Sequence, residues 1–218
     1  MENHFESGLE ALRQKILLMA SRAETSVNQA VQALVQRDHD LAVKVREDDS
    51  VIDQFEVEID EMAIVLLTKA PLASNLRLIT VAMKVSQNLE RIGDEATKIA
   101  KRARDLTQEP PVKINLDVNH IASLALAMVK DALDAFVHRD TAAARAIIPR
   151  DKEVDVLNKE IQQSLALHMM ANPDAIARCL HWIVAIKSLE RIADHAKNIA
   201  EEVVYLYEAQ DIRHTLKS

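Results

Sequence analysis

The chain has 218 residues, 49% hydrophobic and 28% charged, with two glycines, five prolines and only 3% aromatics. That composition excludes a disordered chain, and so little turn punctuation excludes a fold of many short elements, leaving an all-α bundle with an aliphatic core. A net charge of −7 speaks against a nucleic-acid partner, and the single cysteine, Cys179, excludes an intrachain disulfide framework and fits a reducing cytoplasm.

The opening stretch MENHFESGLEALRQK has no apolar signal core, so a cytoplasmic protein is expected. No run approaches the roughly 18 apolar residues of a membrane span, so any membrane contact would go through a partner. The first helix should run from Glu6 to Arg37, because Leu9, Leu12, Ile16, Met19, Ala23, Val27, Ala30 and Leu34 recur every three or four residues. The second should begin at His39 to Leu41 and end at Ala70, with Val45, Ile52, Phe55, Ile59, Met62 and Leu66 as its seam. Lys69-Ala70-Pro71 stops it, since a residue before proline is pushed out of the α region. The third runs from Leu72 to Leu106. Its seam of Val85, Leu89, Ile92, Ala96, Ile99, Ala103 and Leu106 alternates steps of four and three, which suits long near-antiparallel packing. Thr107 to Lys113, with Pro110-Pro111 inside, reads as a linker.

After the linker the plan restarts. Helices are expected over Asn115 to His138, Asp140 to Ala171 and Asp174 to Ala209. Arg139-Asp140 echoes Arg37-Asp38 at an offset of 102, and so do Asp151, Val154, Asp155, Leu157 and Ile161 against Asp49, Ile52, Asp53, Phe55 and Ile59. The offset falls to 100 in the last helix, where Leu189-Glu190-Arg191-Ile192-Ala193-Asp194 repeats Leu89-Glu90-Arg91-Ile92-Gly93-Asp94. A repeat of half the chain means two copies of one unit. The expected architecture is two tandem three-helix bundles, residues 1–109 and 114–218, each roughly 45 Å long at 1.5 Å per residue. Pro149 should kink or break its helix near Ile147 to Arg150.

The repeat carries paired acids. Glu90 with Asp94, and Glu190 with Asp194, are four residues apart, one above the other on a helix. So are Asp49 with Asp53, and Asp151 with Asp155, on the preceding helices. In an antiparallel hairpin, residues equidistant from the turn lie at one level. The pairs 53–90 and 49–94 are both centred on the Pro71-Leu72 turn, and 155–190 and 151–194 on the corresponding turn at Pro173. Asp49, Asp53, Glu90 and Asp94 should therefore converge, and Asp151, Asp155, Glu190 and Asp194 likewise. With Leu89 and Ile92 in the seam, both clusters should be exposed or half-exposed. Four carboxylates at one level repel unless a cation lies between them, and hard oxygen donors suit Mg²⁺, Mn²⁺, Ca²⁺ or iron. The bland alternative is a solvated acidic face satisfied by Arg91, Lys98, Arg191 or Lys197.

Small residues at Gly93 and Ala193 suggest close helix approach. His195 is a surface histidine by default, with a nitrogen ligand for the second cluster as the sharper option, and Asn198 is a weaker candidate of that kind. Trp182 and Phe136 read as core or interface, Cys179 as a packed thiol, and Arg77 and Arg178 as solvated cations or anion binders. No nucleotide-binding loop, zinc-protease helix or hydrolase elbow is present, nor the E-x-x-H of di-iron bundles, so an enzyme is the weaker hypothesis. A multinuclear-metal phosphoesterase and a purely structural scaffold stay open as alternatives.

The doubled Leu-Glu-Arg-Ile motifs at 89–94 and 189–196, the tail Asp211 to His214, the tandem halves and the proline turns together resemble the PhoU family over nearly the whole chain. The resemblance implies a negative regulator of phosphate uptake and of the phosphate-starvation response, cytoplasmic and commonly a homodimer. It would couple the phosphate ABC transporter, through its ATPase, to a sensor histidine kinase. Family E/D-x-x-x-D motifs bind metal, which carries over to Asp49, Asp53, Glu90, Asp94, Asp151, Asp155, Glu190 and Asp194, with the ion open among Mg, Mn, Fe and Zn. Ala193 departs from the usual glycine, a structurally mild change. Glu95 against His195 would give the two sites different metal preferences if that position joined the shell.

Overall fold

A computed structural model describes residues 2–70 and 72–213; Pro71 and His214 of the motifs above lie outside them. The chain folds as α1 (Glu2–Gln36), α2 (His39–Glu47), α3 (Asp49–Leu67), α4 (Ala73–Thr107), α5 (Val118–His138), α6 (Thr141–Ile147), α7 (Asp151–Ala171) and α8 (Ile176–Glu208). Helices α1 to α4 form one three-layered half and α5 to α8 the other, all α, as the internal repeat requires. Each half has an aliphatic core, with Ile16, Met19, Ile59 and Leu89 fully buried in the first and Ile121, Met128, Leu189 and Ile192 in the second.

The break at Pro149 is present as a 3-10 turn over Ile148–Arg150, with proline in its first turn, where no amide donor is needed. The single second helix is corrected. It breaks at Asp48 into α2 and α3 without any proline, so the break belongs to the repeated unit and Pro149 only accommodates it. Its consequence is local: Asp49 and Asp151, the first member of each acidic pair, stand at the first position of α3 and α7, where the helix dipole favours negative charge. The linker is irregular from Gln108 to Asp117. It is pinned by Arg178, which donates to the Pro110 carbonyl and to the Asp174 carbonyl and carboxylate; Arg178 is therefore a tether rather than a solvated or anion-binding cation.

The α1–α2 and α5–α6 corners are built alike. Arg37 and Arg139 both end their helices in the left-handed region, at φ 58°, and Asp38 and Asp140 cap the next helices by accepting from Leu41 and Ala143 amides. That conformation costs a non-glycine residue on the order of 1 kcal/mol. Arg37 offsets the cost, since its guanidinium donates to the Leu106 and Glu109 carbonyls at the end of α4. Among the described residues Arg139 makes no such bond.

Gly93 is a packing glycine. A Cβ there would stand 2.8 Å from Ile52 Cδ1 and 3.6 Å from Asp49 Oδ1, so α4 runs hard against the start of α3. The second half has Ala193 and Val154 at these places: the methyl gained on one helix is given up on the other. Gly93→Ala should therefore cost about 1–2 kcal/mol, overpacking exceeding the helix-propensity gain of roughly 1 kcal/mol. Ile52→Val alone should cost about 1 kcal/mol. The pair together should be no less stable than wild type by urea denaturation. Additive losses would show that the two sites are not matched.

Candidate metal sites and the seam between the halves

The halves meet mainly through α4 and α8. Lys84 bonds Glu202 at 3.0 Å, Asn88 meets His195 at 3.0 Å and Asn198 at 3.4 Å, and Glu95 meets Arg191 at 3.4 Å. Further along, Arg102 meets His181 at 3.4 Å. Partners rise in number on α4 as they fall on α8, so the helices are antiparallel. Gly93 and Ala193 lie at the same level, midway along the pair, and both acidic clusters sit at that level.

In the first cluster Asp49, Asp53, Glu90 and Asp94 lie close enough to act on one another's charge. Asp49 has its carboxyl raised by burial, with the Thr97 hydroxyl partly offsetting it and the charges of Asp53 and Asp94 adding to it. Glu90 is likewise raised by burial, then by Asp94, Glu56 and Asp53, with Arg91 opposing. Glu56 is a member that the sequence reading missed. Its carboxyl is raised by burial and by Asp60, Asp53 and Asp94. Asp49, Asp53, Glu56 and Asp60 form one acidic stripe along α3. Extending the pair along α3 in alternating steps of three and four would have found it. The resident cation is Arg91, 3.3 Å from Glu90 and 3.2 Å from Asp94, its side chain 54% exposed.

The second cluster is built differently, and the expectation of exposure is corrected there. Asp151 and Glu190 are buried, at 9% and 7% exposure, because the close-packed α7–α8 pair covers them, while Asp155 and Asp194 are half-buried. Lys197 lies between them, bonded to Asp151 and, at 3.1 Å, to Asp194. Burial pulls the Lys197 ammonium down, but its bonds to the two aspartates outweigh this and leave it raised. Burial raises Asp151 against the opposing pull of Lys197. Glu190 turns to Lys187 at 2.6 Å. Where α3 carries Glu56 and Asp60, α7 carries Asn158 and Gln162, which bond each other at 2.7 Å. Thr97 occupies the place of Lys197.

The seam explains which cation stays where. Arg191 leaves the second cluster for Glu95 across the seam, where Lys98 also binds Glu95 at 2.8 Å. Arg91, its counterpart, faces His195 instead, which lends it no anion, and it stays with Glu90 and Asp94. His195 is thus neither a surface histidine nor placed with the metal candidates: it is a seam residue bonded to Asn88, as is Asn198. Burial lowers its pKa, against the pull of Glu95 and Asp194. A lowered histidine contributes stability that is complete above its unfolded value, about 6.5, and lost as pH falls toward the folded one. Between pH 7.5 and 5.5 the wild type should lose more melting temperature than His195→Gln. Parallel curves would remove His195 as the cause.

Chemically, both clusters offer hard oxygen donors. Asp151 Oδ1 and Glu190 Oε2 are buried without hydrogen-bond partners, as donors for a cation would be, and Glu90 Oε2 is buried with only its 3.3 Å ion pair to Arg91. Among the described residues, however, no three acidic, histidine or cysteine side chains already stand as a coordination shell. The residues fit a divalent ion by type and level, and side-chain rotation would have to complete the shell. No described helix is long and apolar enough to cross a membrane. Cys179 is a buried free thiol, its pKa raised by burial, as its packed reading requires. Phe136 is in the core and Trp182 packs on it from the linker side.

The PhoU domain family matches residues 16–103 and 118–203. The chain is 44% identical over 216 residues to the phosphate-specific transport system accessory protein PhoU homolog of Pseudomonas aeruginosa, covering 98% of this chain and 89% of that one. It is 33% identical over 215 residues to the accessory protein PhoU of Escherichia coli, covering 98% and 89%. The crystal structure of PhoU from Pseudomonas aeruginosa superposes with a TM-score of 0.92 at 44% identity, over 94% of this chain and all (100%) of that one. The phosphate transport system regulatory protein PhoU from Streptococcus pneumoniae superposes with a TM-score of 0.88 at 26% identity, over 95% and 99%.

Proposed function

The chain belongs to the PhoU family, and from that premise we propose that it is a non-enzymatic accessory regulator of phosphate-specific transport that holds divalent or iron-type metal ions. In this reading it represses phosphate uptake and starvation signalling as a homodimer in the cytoplasm, by contacting the transporter ATPase and a sensor histidine kinase. The relatives compared above are named accessory proteins of the transport system, which supports the regulatory class over the hydrolase. The observation that carries the metal is the first cluster. Six carboxylates gather on two helices, Arg91 acts on Glu56, Glu90 and Asp94 among them, and Asp49, Glu56 and Glu90 are pushed up by burial and mutual charge.

The metal would be held by Asp49, Asp53, Glu90 and Asp94 in the first half and by Asp151, Asp155, Glu190 and Asp194 in the second. It would supply positive charge that joins α3 to α4 and α7 to α8. The protein's own part is to hold those carboxylates at one level and to let Arg91 and Lys197 give way. Affinity-tagged protein from membranes of phosphate-replete cells should carry the transporter ATPase or the sensor kinase with it. Absence of both from crosslinked preparations would leave the coupling without support.

A further inference from the structure

A cleft of about 340 Å³ opens where the two halves meet at the end of the molecule away from the linker, lined from four elements: α1, the start of α4, the α5–α6 corner and α8. It is basic. Arg13, Arg77 and Arg139 line it with Ser74 and Tyr207, and among the described residues Glu6 is the one acidic member of its wall. We infer that this cleft is a binding site for a small phosphoryl anion, either inorganic phosphate or a compound carrying linked phosphoryl groups.

Three arginines from three elements converge there with little to neutralise them. Arg77 and Arg139 form no ion pair among the described residues, and Arg13 has only a loose contact of 3.8 Å with Glu10 on its own helix. Arg77 Nε is buried with no hydrogen-bond partner. A guanidinium nitrogen removed from water without an acceptor is costly unless a ligand supplies one. Arg139 points the same way. It holds a left-handed conformation that glycine would adopt without strain, and its side chain makes no hydrogen bond or ion pair among the described residues, whereas Arg37 in the copied corner secures the end of α4. Tyr207 lines the cleft, its hydroxyl donating to the Phe136 carbonyl at 3.3 Å, and the charges of Arg13 and Arg139 both act on its phenol. The start of α4, which has no side-chain cap, contributes Ser74 and Asn75 to the same wall. A planar fork of donors from each arginine matches an oxyanion better than a halide, and three forks from three elements suit the several oxygens of a phosphoryl group. The site is separate from both carboxylate clusters, which lie at mid-length of α4 and α8, and an anion in it would tie the first half to the second.

Inorganic phosphate and, separately, pyrophosphate are titrated calorimetrically into the full-length protein at fixed ionic strength, with chloride as the control. At least one should bind saturably. Saturation by phosphate identifies the free ion as sufficient, and saturation by pyrophosphate alone identifies a ligand with two linked phosphoryl groups. The double variant Arg77→Gln with Arg139→Gly should weaken that binding at least tenfold. Arg139→Gly alone should melt no lower than wild type, because it relieves the left-handed residue, so a loss of binding there is not a loss of fold. Phosphate held through metal at the carboxylate clusters would be indifferent to these substitutions. Heats for both anions that never saturate, or undiminished binding in the double variant, overturn the inference.

Discussion

Replacing Asp49, Asp53, Glu90 and Asp94 together by Asn, Asn, Gln and Asn raises the melting temperature of metal-free protein at pH 7 and abolishes its further rise on adding Mn²⁺. The first half follows from the sign of the shifts. Asp49 and Glu90 have folded pKa values above their unfolded ones, so the proton is held more tightly in the folded chain. Their contribution is favourable below about pH 4 and is lost as pH rises through the raised values, leaving a full penalty at neutral pH. Amides carry no such penalty, so the two proteins should converge in acid and diverge above it. The second half follows from mass action. An ion binding only the folded state at a hundredfold excess over its Kd contributes about 2.7 kcal/mol. For a chain of this size that is a shift of about 5–10 °C, measured by scanning calorimetry with elemental analysis of the bound ion. A wild type that neither takes up metal nor melts higher with Mg²⁺, Mn²⁺, Fe²⁺ or Zn²⁺ would reduce the first cluster to a solvated acidic face. Arg91 would then be its only counter-ion.

What could be foreseen from the residues was what is local or symmetric. Helical period, the proline stops and the doubled motif reach only a few residues along the chain, so the helix paths and the convergence of Asp49 with Asp94 were readable from spacing. The break at Asp48 was not, because no proline marks it. The seam was not either. Which face of α4 meets which face of α8 depends on the docking of two finished bundles, and nothing within a turn of His195 announces Asn88 as its partner. Heptad register alone put Glu190 on the surface, yet it is 7% exposed. The difference between the clusters was visible in principle: Thr97 against Lys197, Glu56 against Asn158 and Asp60 against Gln162 all follow from the offset. The reading stopped at the residues the two halves share, and the asymmetry lies in those they do not.

That asymmetry sets the largest expected effect in the second half. Lys197→Thr gives the second cluster the residue found in the first. It removes the ammonium that bonds both Asp151 and Asp194 and leaves a carboxylate of 9% exposure facing two others. Breaking a buried ion pair on one side costs about 3–5 kcal/mol, and the half-exposed Asp194 brings this to about 2–3 kcal/mol. The metal-free variant should therefore melt about 5–10 °C below wild type at pH 7. The same change empties the space a cation needs. In the wild type a metal must displace Lys197 to enter, so the first cluster should fill alone at low metal, and a second equivalent should appear only at much higher concentration. In Lys197→Thr the second equivalent should bind at concentrations similar to the first, and Mn²⁺ should restore the lost melting temperature. Lys197→Arg, which keeps the charge, should do neither. A folded Lys197→Thr protein that melts low and takes up no additional metal would make the second cluster a salt bridge and nothing more. The metal chemistry of the chain would then belong to the first half, where no lysine stands in its way.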